Sequence, residues 1–518
     1  MKNTFYITTP IFYVNDKPHI GHAYTTVACD VLARFMRLAG REVMFLTGTD
    51  EHGQKVEKSA EKAGVQPKQF VDGVSQAFRD LAKEMNLSSD DFIRTTDARH
   101  IKGAQALWIK MQEKGQIYLG SYPGWYAVRD EAFYQESELV DGKAPTGAEV
   151  EWVEEPSYFF KLSEYQDKLL AFYDANPGFI MPESRRNEVI SFVKGGLKDL
   201  SISRTTFKWG IPVPGDSEHI MYVWLDALAN YMTALGYGQE DDTKYKKFWP
   251  ADLHMVGKDI IRFHAVYWPA FLMAADLPLP KRVFAHGWWT VEGEKISKSL
   301  GNAIVPADLI ETYGLDQTRY FLMREVPFGS DGNFSRERIA IVINSELANN
   351  FGNLIQRTLS MVHKNCGGVV PDPQGVQKDE LDMAFLQKIQ VTDALTPENI
   401  AKRYYDCKFN DILADIMAIA SEANIYIDTK APWKQKKIDE KLMNATLYHL
   451  VEAIRCITIM IQPFMPGSAA RILTAIGYSE EQATKGILFF ELAPEYAIKP
   501  GTEIAVPQPF FPRIENVS

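Results

Sequence analysis

The 518-residue sequence predicts an α/β doubly wound parallel sheet, interrupted by a small α+β insertion and followed by an all-α helix bundle. Three observations predict this architecture. Strand-like and helix-like segments alternate through residues 1–116, which is typical of a parallel sheet with helices on both faces. Short aromatic runs separated by Gly, Pro and acidic turns then break the alternation. After residue 305 apolar residues recur at helical spacing, which favours an antiparallel bundle.

The same changes of pattern predict the domain boundaries. Residues 1–116 and 216–305 are the two halves of a Rossmann-like domain, and residues 117–215 form a module inserted between them. Residues 306–334 are linking helices, and residues 335–518 form the helix bundle.

Composition limits the classes of protein that fit. The net charge of −11 means that any contact with nucleic acid comes from local patches of Lys and Arg. The most apolar late stretch, residues 447–464, contains Glu452 and Arg455 and so predicts a packed helix. The N-terminus lacks a signal-peptide pattern, and the scattered cysteines indicate a reducing compartment. We therefore expect a soluble cytoplasmic protein. The cysteines are Cys29, Cys366, Cys407 and Cys456.

The first candidate site follows the first predicted strand, residues 4–8. The segment PIFYVNDKPHIGH comes next, and a helix is predicted over residues 23–38. His19, Gly21 and His22 therefore lie where a strand turns into a helix. Free backbone N–H groups and the positive helix end favour phosphate at such a turn. A loop that carries two histidines by chance explains this stretch equally well when it is taken alone.

A second predicted strand, residues 42–47, leads into TGTDEHG. Asp50 at its end could hold a substrate ammonium ion. Thr49 or Asp50 could instead cap the following helix, and the residues alone favour the cap. Both turns follow strands of one parallel sheet, so we expect them at the same edge.

Two segments after the insertion add apolar and aromatic side chains. They are YVWLDALANY at residues 222–231 and VGKDIIRFHAVYW at residues 256–268. Ile260, His264 and Trp268 recur every four residues and so share one helix face. Such a face usually packs in the core, and His264 would then be a hydrogen-bonded buried histidine.

Far downstream, the sequence KISKS lies in a loop flanked by glycines. It contains Lys295, Ser297 and Lys298. Two lysines and two hydroxyl groups on such a loop suit a transient polyphosphate, whereas a solvated basic loop is the alternative.

Together, HIGH and KISKS resemble the paired motifs of class I aminoacyl-tRNA synthetases. The ordered set PIFYVNDKPHIGH, TGTDEHG, SISR, WGIP, YVWLDAL, GKDI and KISKS is similar to the methionyl-tRNA synthetase family over essentially the whole chain. The resemblance implies a methionine–tRNA ligase that forms methionyl-adenylate and pyrophosphate from L-methionine and ATP. The methionine then passes to the 3′-terminal ribose of tRNA(Met).

The resemblance also implies roles for particular residues. Asp50 would take the methionine ammonium group. The methionine pocket would be lined by Ile11, Tyr13, Trp224, Ala227, Leu228, Tyr231, Ile260, His264 and Trp268. ATP would be bound by His19, Gly21, His22, Gly257, Asp259, Lys295, Ser297 and Lys298, with Mg²⁺ bridging the departing phosphates. Arg204, in SISR, would act with His19, His22, Lys295 and Lys298 in catalysis.

In the helical region, KAPWKQKK places Trp433 beside four lysines. An aromatic ring with flanking cations suits base stacking on a single-stranded anticodon, and a tryptophan that packs a helix–helix turn is the alternative. The resemblance makes Trp433 the leading anticodon reader, with Asn353 and Arg357 as further candidates.

Members of this family often carry a zinc knuckle in the inserted module. The corresponding positions here look like Ala127, Asp130, Ala144 and Gly147. Neither thiolates nor imidazoles remain, so we predict no structural zinc. The sequence ends without the additional C-terminal domain of some members, and we expect a monomer.

Three alternatives stay open on sequence grounds. A sister synthetase for another apolar amino acid shares the motifs, although the insertion is too short for a typical editing domain. An adenylyltransferase for another small molecule would leave the Trp-containing bundle unexplained. A catalytically silent tRNA-binding paralogue is disfavoured by the intact His19, His22, Lys295 and Lys298.

Overall fold

A computed structural model describes most of the chain, and it divides into two compact units. The first comprises residues 1–29 and 43–287, and the second comprises residues 30–42 and 288–518. The described residues are 3–14, 17–130, 132–134, 136–291, 294–295, 304–390 and 397–515.

The first unit is an α/β domain with an inserted antiparallel region. Its strands are β1 (Thr4–Thr8), β2 (Phe12–Tyr13), β3 (Glu42–Asp50), β4 (Asp91–Arg94), β5 (Ile117–Ala127), β6 (Ala132–Tyr134), β7 (Glu151–Phe160), β8 (Ile180–Met181), β9 (Leu200–Ser201), β10 (Ser203–Arg204), β11 (Pro212–Val213), β12 (Asp216–Met221), β13 (Leu253–Gly257) and β14 (Val283–His286). Its helices are α1 (Ile20–Leu38, whose second half belongs to the second unit), α2 (Gln54–Lys62), α3 (Pro67–Glu84), α4 (Ala98–Glu113), α5 (Gln166–Ala175), α6 (Glu183–Lys194), α7 (Val223–Thr233), α8 (Thr243–Phe248) and α9 (Trp268–Ala274).

The central sheet has the order β2-β3-β1-β13-β14-β8, with β4 paired to β3. The pairs β1–β13, β13–β14, β14–β8, β2–β3 and β3–β4 are all parallel. The predicted doubly wound sheet is thus confirmed. Ligands bind at the carboxyl ends of such strands, and β1, β3, β13 and β14 end together there.

The region from β5 to β12 contains a four-stranded sheet of order β6-β5-β7-β9 and a three-stranded sheet of order β10-β12-β11. Strand β8 comes from the middle of this region yet pairs with β14 of the central sheet. The pairing of β8 with β14 could not be predicted from the sequence, because a two-residue strand shows no periodic pattern.

The second unit is mainly helical, as predicted. Its helices are α10 (Pro306–Tyr313), α11 (Leu315–Arg324), α12 (Arg336–Val342), α13 (Asn353–Cys366), α14 (Glu380–Gln390), α15 (Pro397–Tyr405), α16 (Phe409–Lys430), α17 (Pro432–Gln435), α18 (Glu440–Ile461), α19 (Pro466–Ala475) and α20 (Glu480–Lys485). A small sheet is formed by β15 (Trp289–Val291), β16 (Glu294–Lys295) and β17 (Gly332–Phe334). Along the described ranges, no helix is long and apolar enough to cross a membrane.

A buried ion pair stabilises the second unit. Arg319 donates a 2.7 Å hydrogen bond to Asp30, and both side chains are fully buried. The guanidinium also donates to the carbonyl groups of Phe464 and Pro463. These bonds pair the buried charge, and an unpaired buried ion would be strongly destabilising.

Two helices predicted as continuous are interrupted in the structure. Apolar residues recur at helical spacing over residues 336–363 and 399–427, which predicts one continuous helix in each segment. The first segment contains a π-helical stretch, Ile343–Gly352, between α12 and α13. The segment over residues 399–427 is broken between α15 and α16, where Cys407 has a positive φ of 55°. Apolar periodicity continues through both interruptions, so it could not reveal them.

Candidate active site

The first candidate site is built at the turn that leads from β2 into α1. Nδ1 of His22 accepts the backbone N–H of His19 at 3.0 Å, and Nδ1 of His19 accepts the N–H of Gly21 at 3.1 Å. A ring nitrogen that accepts carries no proton, so each neutral ring carries its proton on Nε2. The two imidazoles, with centroids 3.9 Å apart, therefore supply two Nε2–H donors from one turn.

Glycine is required at the centre of this turn. A Cβ atom at Gly21 would lie 2.9 Å from Cε1 of His19, so a larger residue would displace the ring. Burial lowers the pKa of His19. Burial, reinforced by the neighbouring His19, also lowers the pKa of His22 well below its usual value. Both rings are therefore neutral donors near neutral pH, and the start of α1 adds the helix dipole.

The second turn begins at Asp50, the last residue of β3. Asp50 is buried and pairs in parallel register with Tyr13 of β2. Helix α2 begins only at Gln54, with Gly53 at its N-cap. The interpretation of Thr49 or Asp50 as a helix cap is therefore wrong. The reason is that β3 continues three residues beyond its predicted end, and a separate turn follows it.

This turn is held by several buried contacts. Glu51 is fully buried and forms a two-point ion pair with Arg94, at 2.6 and 2.9 Å. The indole N–H of Trp209 donates to the carbonyl of Glu51 at 2.6 Å, and the carbonyl of Trp209 accepts from Gly53. His52 bonds Asp226 of α7 at 2.7 Å. The backbone beside Asp50 is therefore fixed before any ligand binds.

Most of the predicted methionine-pocket residues belong to the main hydrophobic core of the first unit, and together we call these predicted residues the pocket cluster. Leu228, Tyr231 and Trp268 are buried within it. Partly buried side chains pack against them, and those predicted for the pocket are Ile11, Tyr13, Trp224 and Ile260. Trp224 stacks on Phe263 with ring centroids 3.7 Å apart, which gives this cluster a flat aromatic wall. The remaining apolar candidate, Ala227, is also buried in α7.

His264 lies in a π-helical turn, Phe263–Tyr267, rather than in regular α-helix. Its Nδ1 lies 3.0 Å from the carbonyl of Ile260 and must therefore be the protonated nitrogen. Its Nε2 then accepts a 2.6 Å hydrogen bond from the hydroxyl of Tyr231. Burial lowers the pKa of His264 to about 4, so the ring is neutral.

His264 and Trp268 both lie against the ring of Tyr231, and Ile260 packs against the same cluster. The segment that carries them is not the continuous regular helix that the spacing predicts, because a 3₁₀ turn at Lys258–Ile260 and the π-helical turn precede the α-helix at Trp268. Ile260 and His264 are nevertheless joined directly, through the hydrogen bond to the Ile260 carbonyl. π-Helical turns occur often at functional sites.

Asp50 lies beside the same cluster, because it pairs in parallel register with Tyr13, which packs against that cluster. Burial is the main cause that raises the pKa of Tyr231.

A second buried histidine supports the pocket and was missed from the sequence. Nε2 of His254 accepts from the indole of Trp268 at 3.3 Å, so its Nδ1–H donates to Thr8 at 2.8 Å. The ring of Tyr231 lies over His254, with centroids 4.1 Å apart. His254 stands inside an apolar strand, and only its position on β13 beside β1 brings it to the pocket.

The ATP candidates lie at the end of β13. Gly257 pairs with His286 of β14, and Asp259 follows as an exposed carboxylate. A Cβ atom at Gly257 would lie 2.5 Å from Oδ1 of Asp259, so a larger residue would displace that carboxylate. His286 in turn bonds Thr25 of α1 at 2.7 Å, which connects this edge to the helix that starts at the histidine turn.

Comparison with known proteins agrees with this geometry. A model of the family "tRNA synthetases class I (M)" matches residues 5–151 and 138–359. A model described as "Anticodon binding domain of methionyl tRNA ligase" matches residues 373–518. A methionine–tRNA ligase of Rickettsia felis is 58% identical over 518 residues, covering 100% of this chain and 99% of its own. The chain belongs to the methionine–tRNA ligase family.

Other relatives extend this agreement. A methionine–tRNA ligase of Brucella suis is 54% identical, covering 99% of this chain and 98% of its own. The structure of Mycobacterium tuberculosis methionyl-tRNA synthetase in complex with methionyl-adenylate matches with a TM-score of 0.94 at 48% identity. It covers 99% of this chain and 100% of its own. The apo form of that enzyme matches with a TM-score of 0.88.

In this methionine–tRNA ligase family member, the KISKS motif lies almost wholly outside the described residues. Ser297 and Lys298 are not described, and Lys295 is described only as the last residue of β16. Their roles stay predictions.

Arg204, which the resemblance places among the catalytic residues, is buried in the structure. Only 3% of the residue is exposed. Its guanidinium lies 4.7 Å from the ring centre of Tyr222 and donates to Ser201 at 2.9 Å. Strand β10 thus turns the side chain inward. Its catalytic role stays a prediction.

The positions of the family's zinc knuckle hold an apolar cluster instead. Ala127 and Ala144 are buried against each other with Ala148. The carboxylate of Asp130 accepts hydrogen bonds from Thr146 and from Tyr134, the latter at 3.0 Å. Methyl groups cannot bind zinc, so these residues do not fit the ion.

In the second unit, α16 ends at a left-handed Ala431, and Trp433 follows on α17 with 45% of its surface exposed. Lys430 is not one of the free cations expected beside it, because it is paired with Asp379 and Asp382 at 2.7 and 2.6 Å. The sequence could not show this pairing, since both partners lie about 50 residues upstream.

The other anticodon candidates lie on α13. Asn353, its first residue, is exposed. Arg357, one turn further on, pairs with Asp428 of α16 at 2.5 Å. Contact of Asn353 and Arg357 with RNA stays a prediction.

Proposed function

We propose that this protein activates L-methionine with ATP to form methionyl-adenylate and pyrophosphate, and then transfers methionine to the 3′-terminal ribose of tRNA(Met). The observation that carries the proposal is the pocket cluster. An apolar cluster that contains one hydrogen-bonded pair, Tyr231 and His264, lies beside Asp50, whose strand neighbour Tyr13 packs against the cluster, and we propose that it forms a slot for methionine. Full-length similarity to methionine–tRNA ligases supports it.

Methionine recognition follows from the chemistry of this slot. A thioether is a weak hydrogen-bond acceptor, so selection rests on shape and on contact between sulfur and aromatic rings. Trp224, Tyr231 and Trp268 supply the rings. Apolar fit discriminates by only about 1–3 kcal/mol per methylene group, so the fixed geometry of the Tyr231–His264 pair matters. Asp50 accepts the methionine ammonium group.

Adenylate formation needs positioning and charge stabilisation rather than a protein nucleophile. A carboxylate oxygen of methionine attacks the α-phosphorus in line. The bond from that phosphorus to the bridging oxygen breaks, and pyrophosphate leaves with the electron pair. The Nε2–H groups of His19 and His22 donate to phosphate oxygens. Lys295, Ser297 and Lys298 stabilise the departing pyrophosphate.

The nucleotide is held at the end of β13. Gly257 and Asp259 receive the ribose, and Arg204 acts with the histidines and lysines of the two motifs in catalysis. When Mg²⁺ is bound, it neutralises charge on the phosphates. The exposed Asp259 carboxylate is an oxygen ligand of the kind that Mg²⁺ prefers, although substrate phosphates and water usually supply most of its ligands.

In the second step a hydroxyl of the terminal ribose attacks the carbonyl carbon of methionyl-adenylate. The ester bond to tRNA forms, AMP leaves, and its phosphate takes up the hydroxyl proton. Trp433 stacks on an anticodon base, and Asn353 and Arg357 contact base edges. We further expect a cytoplasmic monomer without structural zinc.

Replacement of Lys298 tests the proposed function. We expect Lys298→Ala to lower the rate of adenylate formation by about 10²–10³, because a donor to the leaving phosphates is lost. Filter binding of tRNA(Met) should be unchanged. Lys244→Ala, which removes an exposed lysine on α8, is the control and should keep full activity. Unchanged activation in Lys298→Ala would contradict the assignment.

A further inference from the structure

A buried carboxylate with two histidine partners lies beside the pocket cluster. Asp226 of α7 is 0% exposed. Its Oδ2 lies 2.7 Å from Nδ1 of His52, and its Oδ1 lies 2.7 Å from Nε2 of His100. Because a carboxylate accepts, both ring nitrogens are donors. None of these three residues was singled out by the sequence.

Each partner connects Asp226 to a different part of the first unit. His52 lies in the turn after β3, two residues from Asp50. His100 lies on α4, where its Nδ1 also bonds Thr233 of α7 at 2.8 Å. Asp226 itself directly precedes Ala227 in the helix that carries Leu228 and Tyr231.

The two hydrogen bonds of Asp226 differ in the other contacts that exist between the elements they join. Helix α4 packs closely on α7 through Gly103, where a Cβ atom would lie 2.4 Å from Cγ2 of Thr233. The bond of His100 to Asp226 therefore adds to an established helix contact. The turn that carries Asp50 is also held by the Glu51–Arg94 ion pair and by Trp209, which connect it to β4 and to the segment before β11. The bond of His52 joins the same turn directly to α7.

We propose that the His52–Asp226 pair is a positioning pair for methionine. It fixes the spacing between the carboxylate of Asp50, which accepts the ammonium group, and the face of α7 that lines the pocket. This inference rests on the proposed function. Methionine must reach Asp50 with its ammonium group while its side chain fills the slot. A shift of either wall lets the substrate satisfy one contact and lose the other, and small misplacements of this kind are costly.

The pair acts on methionine and leaves ATP unaffected. His52 lies in the turn after β3, and Asp226 lies on α7. The residues named above as candidates for nucleotide binding follow β13 or lie at the start of α1. The loss of the pair should therefore appear in the KM for methionine and not in the KM for ATP.

The test compares four variants of the full chain by pyrophosphate exchange and thermal unfolding. His52→Leu removes the donor, whereas His52→Asn keeps an amide N–H near the position of Nδ1. His100→Leu and His100→Gln are the matched controls on the other oxygen of the same carboxylate, with the Gln amide near the position of Nε2. We expect His52→Leu to raise the KM for methionine about tenfold, with the KM for ATP within about twofold and partial rescue in His52→Asn. His100→Leu should lower the thermal midpoint and leave the KM for methionine within about twofold.

Two results would overturn the inference. One is an unchanged KM for methionine in His52→Leu. The other is an equal rise in His52→Leu and His100→Leu that follows their loss of stability. If His52→Leu does not fold, His52→Ser, whose hydroxyl is too short to reach the carboxylate, is read by the same criteria. A wild-type protein without methionine-dependent exchange would instead contradict the proposed function.

Discussion

The hydroxyl of Tyr231 donates a 2.6 Å hydrogen bond to Nε2 of His264, and Nδ1 of the same ring is bound to the carbonyl of Ile260. Both nitrogens of a buried neutral imidazole are thus satisfied, and its orientation is fixed from two sides. The Tyr231–His264 pair therefore provides a polar group of fixed orientation in an otherwise apolar pocket.

The first prediction concerns this pair. Tyr231→Phe leaves Nε2 of His264 buried without its donor, and such a loss costs about 1–3 kcal/mol. We expect the KM for methionine to rise about tenfold, with a smaller change in the KM for ATP, measured by pyrophosphate exchange. Tyr165→Phe removes another buried hydroxyl, which donates to Gln116 at 2.7 Å, and should leave both constants unchanged. Equal effects of the two variants would show that Tyr231 has no special role.

A second prediction concerns pH. Burial holds the pKa of His264 at about 4, below its ordinary 6.5. The unfolded chain therefore binds a proton between these values while the folded chain does not. The stabilisation from neutral His264 is fully present above pH 6.5 and is lost as the pH falls toward 4. The difference between the two pKa values corresponds to a change of about 3 kcal/mol in the free energy of unfolding.

Thermal unfolding of wild type and His264→Gln between pH 7.5 and pH 4 checks this prediction. The variant lacks the titrating group. The difference in thermal midpoint between wild type and variant should therefore shrink as the pH falls through this window. A difference in thermal midpoint that stays constant or increases toward pH 4 would contradict the expected pKa of His264.

The sequence was most informative where chemistry is local. The parallel sheet, the two turns with His19 and Asp50, and the cluster around Trp224 and Tyr231 follow from apolar patterns and short motifs. The pairs His52–Asp226 and Lys430–Asp382 could not be predicted, because their members lie 174 and 48 residues apart. The π-helical turn at His264 was also hidden, since its apolar spacing matches a regular helix.

A third prediction separates tRNA charging from amino-acid activation. Trp433→Ala removes an exposed ring, and base stacking on such a ring is worth about 1–3 kcal/mol. We expect the KM for tRNA(Met) in charging to rise at least about fivefold while pyrophosphate exchange stays near the wild-type rate. Phe490→Ala removes another exposed ring of the second unit, 55% accessible, and is the control. Equal loss of both activities would assign Trp433 a structural role.

A fourth prediction concerns the metal-free knuckle. We expect the purified protein to contain less than about 0.1 zinc per chain by elemental analysis, because alanines replace ligands that zinc requires. Asp130→Ala should lower the thermal midpoint by a few degrees, since Tyr134 and Thr146 lose their acceptor. One zinc per chain, or activity lost on treatment with a chelator that spares Mg²⁺, would contradict this prediction.

The central claim is that the pocket cluster selects methionine for activation by ATP. Amino-acid-dependent exchange of labelled pyrophosphate into ATP, measured separately with methionine, leucine and isoleucine, tests it most directly. We expect exchange with methionine, and with leucine or isoleucine a kcat/KM lower by at least about 10². Equal exchange with leucine or isoleucine, or none with any of the three, would contradict it.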